Sequence, residues 1–297
     1  MSREAAAVAT LRPADFVELA KPRITLMVAL TAGAGFALGS GESIDALRLA
    51  HTMTGTALLA AGASALNQVL ERQSDGLMRR TADRPLPTGR MPSDLALLFG
   101  ALLAFTGMLQ LTLAVNALTA LLGAATLAAY VFVYTPLKRV TSLATVIGAI
   151  PGATPPMMGW AGARGEVELG AWVLFALLFL WQLPHFLAIA WLYRADYERA
   201  GMPMLSVVDP EGGRVGRQAL LYAAALLPVS LMPSALGLAG GFYALGALLL
   251  GLGFVGTSGA FAFDRTPLSA RRLLLFSVLY LPAVLVVLML DRVGVPR

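Results

Sequence analysis

Cysteine is absent from the 297-residue chain, which excludes disulfides, thiolate-bound zinc, cysteine-ligated iron–sulfur clusters and covalent c-type heme attachment. Charge is scarce as well: 13% of residues are Asp, Glu, Lys or Arg, against roughly a quarter in an ordinary soluble domain. Histidine occurs only as His51 and His185, and lysine only as Lys21 and Lys138. What is left is apolar. With 58% hydrophobic residues and a mean hydropathy of +0.74, the chain reads as an integral membrane protein. Its partner by composition is a lipid bilayer and not nucleic acid, because the basic residues are spread over the joints between apolar runs.

A bilayer core needs about 20 apolar residues per helical span. Nine segments qualify, at roughly 24–39, 50–70, 94–113, 116–134, 142–160, 169–192, 217–236, 238–260 and 272–290. The expected fold is all-α: a polytopic, nine-helix membrane domain enclosing a central cavity and covering residues 1–297. Arg3, Glu4, Arg12 and Asp15 precede the first apolar run, so no removable signal peptide is expected. A cytoplasmic N-terminus leaves Arg48, Arg164, Arg292 and Arg297 outside and the other eighteen of the 22 basic residues inside. That asymmetry supports nine spans with the N-terminus in the cytoplasm. The two longest cytoplasmic joints, about 71–93 and 193–216, carry acids and bases together and are candidate active-site lids. They lie four spans apart, which hints at a duplicated four-helix unit.

The chemistry concentrates where the second span leaves the membrane. Asn67, Glu71 and Asp75 are four residues apart and stack on one face if the helix runs that far. An amide and two carboxylates in a column suit Mg²⁺, which takes one or two protein carboxylates plus substrate phosphates. From spacing alone, two solvated acids past a helix end serve equally well. Lys138 and Arg139 close the fourth span, where they either anchor it on the positive side or meet an anion. Arg72, Arg80 and Arg84 carry the same choice, with Arg84 preferred for a phosphate because Arg84-Pro85 closes a turn. The fifth span holds Gly148, Pro151, Gly152, Pro155, Pro156 and Gly159, the makings of a kinked helix beside a cavity or of a close packing contact.

The run from Ala65 to Arg90, ALNQVLERQSDGLMRRTADRPLPTGR, resembles the first signature of the UbiA-type intramembrane prenyltransferases, and within them of the branch that farnesylates heme. The likeness continues in Tyr134-Thr-Pro-Leu-Lys138-Arg139, in Gly148 to Pro156 with Gly159-Trp160, in Trp181-Gln-Leu-Pro-His185-Phe186, and in Arg194-Ala-Asp196-Tyr197 through Gly201 and Met204. Beyond about residue 205 it rests on hydropathy only. The resemblance implies farnesyl diphosphate and protoheme IX (heme B) as substrates, Mg²⁺ as cofactor and heme O as product. It implies Asn67, Glu71 and Asp75 as ligands of Mg²⁺ and diphosphate, with Lys138 and Asp196 supporting charge separation. Arg72, Arg80, Arg84, Tyr134, Arg139, His185, Tyr193 and Arg194 are the implied substrate contacts.

The chain departs from the wider family after the sixth span. Relatives acting on phenolic acids carry a second aspartate-rich motif there, whereas this sequence has Phe186 and Tyr193 and keeps only Asp196. That agrees with the heme-farnesylating branch and weakens a second carboxylate site. His185 falls inside a span, where it serves as a heme contact or as an interhelical hydrogen-bonder; His51 is read as interfacial. The rival readings are an aromatic acceptor such as 4-hydroxybenzoate or a quinone precursor, and a transporter with charges along an ion path. Scarce lysine beside abundant Arg and Ala points to a GC-rich bacterial genome, hence a plasma (inner) membrane. The resemblance also implies heme A synthase or an oxidase assembly factor as a candidate recipient of the product.

Overall fold

The computed structural model describes residues 11–293; Arg3, Glu4 and Arg297 of the charge tally lie outside them. A short helix, α1 (Pro13–Ala20), leads into α2 (Pro22–Gly39), α3 (Ala46–Leu77), α4 (Ser93–Ala114), α5 (Ala117–Leu137), α6 (Ala144–Arg164) and α7 (Leu169–Leu192). Two short helices, α8 (Arg194–Arg199) and α9 (Leu205–Val208), then precede α10 (Gly213–Ala235), α11 (Gly241–Asp264) and α12 (Pro267–Leu290). Helix starts follow local chemistry. Asp45 and Asn116 accept hydrogen bonds from the amides of Arg48 and Thr119, and Pro13, Pro22 and Pro267 occupy first-turn positions where no amide is needed.

Nine helices of 18 residues or more correspond to the nine expected spans, among the described residues. Seven of them are apolar enough to cross a membrane by length and composition. The exceptions are α3 and α6. The first buries Thr52, Thr56, Ser64, Asn67, Gln68, Glu71, Ser74 and Asp75, and the second carries three prolines. At 1.5 Å per residue α3 is about 48 Å long, longer than a hydrocarbon core of about 30 Å. Its polar last turns therefore emerge at the basic end. Outward faces stay apolar, with Leu113, Phe132, Phe263 and Leu290 exposed, as a surface facing lipid tails requires.

Helix α6 runs unbroken through Pro151, Pro155 and Pro156, packed against α2 and α7. Gly35 and Gly159 let the backbones of α2 and α6 touch: a Cβ on either would overlap the carbonyl of Pro156 or of Ala32. Small residues at a crossing are how membrane helices gain close packing. Gln182 donates to Ala149 O at 2.8 Å and Asn116 to Ala161 O at 2.8 Å, so neighbouring helices feed carbonyls on this proline-rich segment. The fourth span also runs past its expected end at about residue 134. The backbone widens into a π-helical turn over Ala129–Tyr134, passes Pro136 and continues to Leu137. A proline ring collides with the carbonyl four residues back in a regular helix, and the wider turn relieves that contact.

Candidate active site

Helix α3 extends past the expected span end at about residue 70, to Leu77, so Asn67, Glu71 and Asp75 form the expected column. All three are buried, at 2%, 5% and 1% exposure. A buried carboxylate must be paired, and each one is. Lys138 Nζ lies 2.8 Å from Glu71 Oε1, and Arg84 Nη1 lies 2.7 Å from Asp75 Oδ2. Asn67 donates to Thr135 Oγ1 at 2.9 Å, which leaves its carbonyl oxygen uncommitted.

The partners arrive by two routes. Beyond Leu77 the chain turns tightly: Thr81 Oγ1 bonds Asp75 O at 2.8 Å, and the amide of Arg84 bonds Thr81 O at 3.1 Å, bringing Arg84 back over Asp75. Arg90 fastens the far end of this loop to α1, 3.1 Å from Asp15 Oδ1. From the other side, the π turn carries Tyr134 and Lys138 toward α3, with the ammonium 4.5 Å from the Tyr134 ring centroid. A Cβ on Gly148 would overlap that ring, so glycine there makes its room. π turns recur at functional sites because they re-aim side chains.

Lys21 is a further cation within electrostatic reach of the column, one that charge counting passed over. It joins α1 to α2 in the left-handed region, at φ 47°, a conformation costing a non-glycine residue of order 1–3 kcal/mol. Its Nζ has no hydrogen-bond or ion-pair partner among the described residues. Burial pushes its pKa down to about 7, aided by the nearby charges of Arg84 and Lys138 and opposed by Glu71 and Asp75. Thus three cations face two carboxylates. The Lys21-Pro22 step at a helix start was the available signal.

The remaining candidates separate from this cluster. Asp196 accepts the backbone amides of Arg79 and Arg80 at 3.3 and 3.4 Å and pairs with Arg199, latching α8 to the turn after α3. Arg80 bonds Tyr197 Oη at 3.0 Å and lies 5.3 Å from the ring centroids of both Tyr193 and Tyr197. Arg139 braces α3 from outside through Ser74 Oγ at 3.2 Å. Arg72 points outward to Ser93, and Arg194 lies over Trp191 and bonds Pro210 O. His185 sits deep in α7, with Nδ1 2.8 Å from Ser277 Oγ on α12 and its ring stacked on Trp181. His51 meets Gln110 at the opposite end.

Among the described residues no three His, Cys, Asp or Glu side chains are grouped to hold a metal alone. Two carboxylates and an amide oxygen fit a Mg²⁺ that draws its other ligands from phosphate and water.

The apolar bundle of an intramembrane enzyme thus carries a buried set of paired carboxylates and cations at one end. The chain belongs to the UbiA prenyltransferase family, whose profile matches residues 27–281. It is 50% identical to the protoheme IX farnesyltransferase of Solibacter usitatus over 94% of this chain and 99% of that one. It is 46% identical to the protein of that name from Salinibacter ruber, over 93% and 98%. Among solved structures, a digeranylgeranylglyceryl phosphate synthase superposes with a TM-score of 0.78 at 16% identity, over 94% and 97% of the two chains. A UbiA homolog from Archaeoglobus fulgidus bound to GPP and Mg²⁺ gives 0.63 at 15% identity, over 93% and 99%. These two likenesses establish the fold.

Proposed function

We propose that the protein transfers farnesyl from farnesyl diphosphate to a vinyl group of protoheme IX, with water completing the hydroxyethylfarnesyl side chain of heme O, at the cytoplasmic face of a bacterial inner membrane. The chemistry is carried by the Glu71–Lys138 and Asp75–Arg84 ion pairs buried on one column. The acceptor is taken from the near full-length relatives named protoheme IX farnesyltransferase.

Asn67, Glu71 and Asp75 would hold Mg²⁺, whose charge assists departure of the diphosphate. As the allylic C–O bond breaks, the electron pair leaves with the diphosphate, and Lys138, Arg84 and Lys21 meet the growing negative charge. Preorganised cations in a water-poor site stabilise that charge far more than solvated ones do. The apolar interior shelters the farnesyl cation from early capture by water. The vinyl π bond then attacks C1 of the farnesyl group, its terminal carbon forming the new C–C bond. Positive charge moves to the carbon next to the porphyrin, water adds there, and a proton is released.

Purified protein in liposomes with protoheme IX, farnesyl diphosphate and Mg²⁺ should yield a heme product whose mass has grown by one farnesyl group and one hydroxyl. Inert heme beside prenylated 4-hydroxybenzoate would replace the acceptor.

Lys21 adds a pH signature. With its pKa near 7, it is charged at pH 6 and largely neutral at pH 8, so diphosphate binding above neutrality must first restore its proton. The KM for farnesyl diphosphate should rise above pH 7, by up to about tenfold per unit, because a pKa unit is 1.36 kcal/mol. Lys21→Arg, which keeps its charge, should flatten the rise; equal slopes for both proteins would remove Lys21 from the diphosphate site.

A further inference from the structure

A cavity of about 380 Å³ is lined by Arg79, Arg80, Leu192, Tyr193, Ala195 and Asp196, next to the turn that brings Arg84 back over Asp75. Its one acid is already committed. Asp196 is buried, with its oxygens on the amides of Arg79 and Arg80 and on Arg199. Arg79 and Arg80 therefore give the cavity an uncompensated positive wall. Arg80 lies over the rings of Tyr193 and Tyr197 and donates to the Tyr197 hydroxyl. Guanidinium groups set in this way favour carboxylates and phosphates through paired hydrogen bonds.

The diphosphate has its own cations in Lys138, Arg84 and Lys21, so it does not need this wall. The other anionic substrate of the proposed reaction is the porphyrin, whose two propionates project from one edge. We propose that Arg79 and Arg80 bind the propionate edge of the heme in this cavity. The proposal rests on the farnesyl-transfer reading and adds the orientation of the acceptor.

The orientation has a chemical consequence. The vinyl-bearing half of the macrocycle lies away from the propionates. Carboxylates held at the Arg79–Arg80 rim direct that half into the apolar bundle, where the allylic cation is generated. The chain itself connects the two sites: Arg80, which bonds Tyr197, precedes Thr81, whose hydroxyl donates to Asp75 O at 2.8 Å. His185 lies eight residues before Tyr193 on α7, about 12 Å deeper, a distance compatible with the apolar body of the same molecule.

The test compares protoheme IX with its dimethyl ester, which keeps both vinyl groups and loses both carboxylates. Binding is followed by the Soret band, with full-length protein in nanodiscs. The wild type should bind protoheme at least tenfold more tightly than the ester. In Arg79→Ala/Arg80→Ala the two affinities should converge to within threefold, while the KM for farnesyl diphosphate changes far less than the heme affinity. Arg79→Ala alone, at an exposed position, should show an intermediate preference without disturbing the Tyr193–Arg80–Tyr197 stack. Equal binding of heme and ester by the wild type overturns the proposal but leaves heme as the acceptor. An undiminished preference in the double variant, or a defect confined to farnesyl diphosphate, overturns it as well. A wild type that binds neither porphyrin yet prenylates another acceptor overturns the farnesyl-transfer reading along with it.

Discussion

Asp75→Asn and Glu71→Gln each lower heme farnesylation by at least tenfold, equivalent to about 1.4 kcal/mol of barrier, while insertion and folding survive. Both substitutions keep the side-chain volume and an acceptor oxygen for Lys138 or Arg84, so the column on α3 stays packed and the cation left without its counter-charge keeps a hydrogen-bond partner, which limits the loss of stability. What they remove is the negative charge that a divalent cation requires. Arg84 then sits 2.7 Å from a neutral amide in place of a carboxylate and remains available to an incoming diphosphate. The loss should therefore fall on kcat and on the Mg²⁺ concentration needed for half-maximal rate, more than on KM for farnesyl diphosphate. Turnover measured across a Mg²⁺ series, with helicity and elution profile as folding controls, checks this. Near-normal rates and an unshifted Mg²⁺ dependence in both variants would take the metal away from these residues.

Spacing made that column legible. Asn67, Glu71 and Asp75 could share a face only if the helix outlasted the apolar stretch, and hydropathy had no means of showing this, because residues 71–75 are polar yet helical. Their polar side chains are satisfied by tertiary partners, Lys138, Arg84 and Thr135, none of which is local on α3. Long-range pairing of this kind leaves no periodic trace. The same holds for Asp196, which the family resemblance implied as a support for charge separation and whose carboxylate engages the Arg79–Arg80 turn. Substrate contacts expected at Arg72 and Arg194 lie on exposed surface: Arg72, one position on from Glu71 in α3, faces away from the column and bonds Ser93, and Arg194, at the start of α8, lies over Trp191.

Span positions were legible for a simpler reason, since an apolar run of the right length has few alternatives in a bilayer. Boundaries were less so. The helix from Pro267 begins five residues before the expected 272 because Thr266 and Ser269 cap it reciprocally, and Arg271 and Arg272 are carried on its first turns. The π turn in the fourth span was hidden for the opposite reason. Pro136 announces a disturbance of the helix, but whether the chain stops or widens depends on what its neighbours leave room for, and Gly148 leaves room for Tyr134.

Lys138→Met separates the structural from the chemical side of the site. Lys138 and Glu71 are 13% and 6% exposed, and removing one partner of a buried pair leaves the other charge uncompensated, at about 3–5 kcal/mol. The single variant should therefore lose both turnover and thermal stability. Adding Glu71→Gln neutralises the stranded carboxylate, and because a buried pair often contributes little net stability, most of the thermal loss should return. Turnover should not. Removing one preorganised group from a site of developing charge costs about 10²–10³ in rate, so the double variant should remain at least a hundredfold below wild type, with its melting temperature close to that of the parent. Recovery of activity together with stability would make the ion pair a packing device, and departure of the diphosphate would then rest on Arg84 and Lys21.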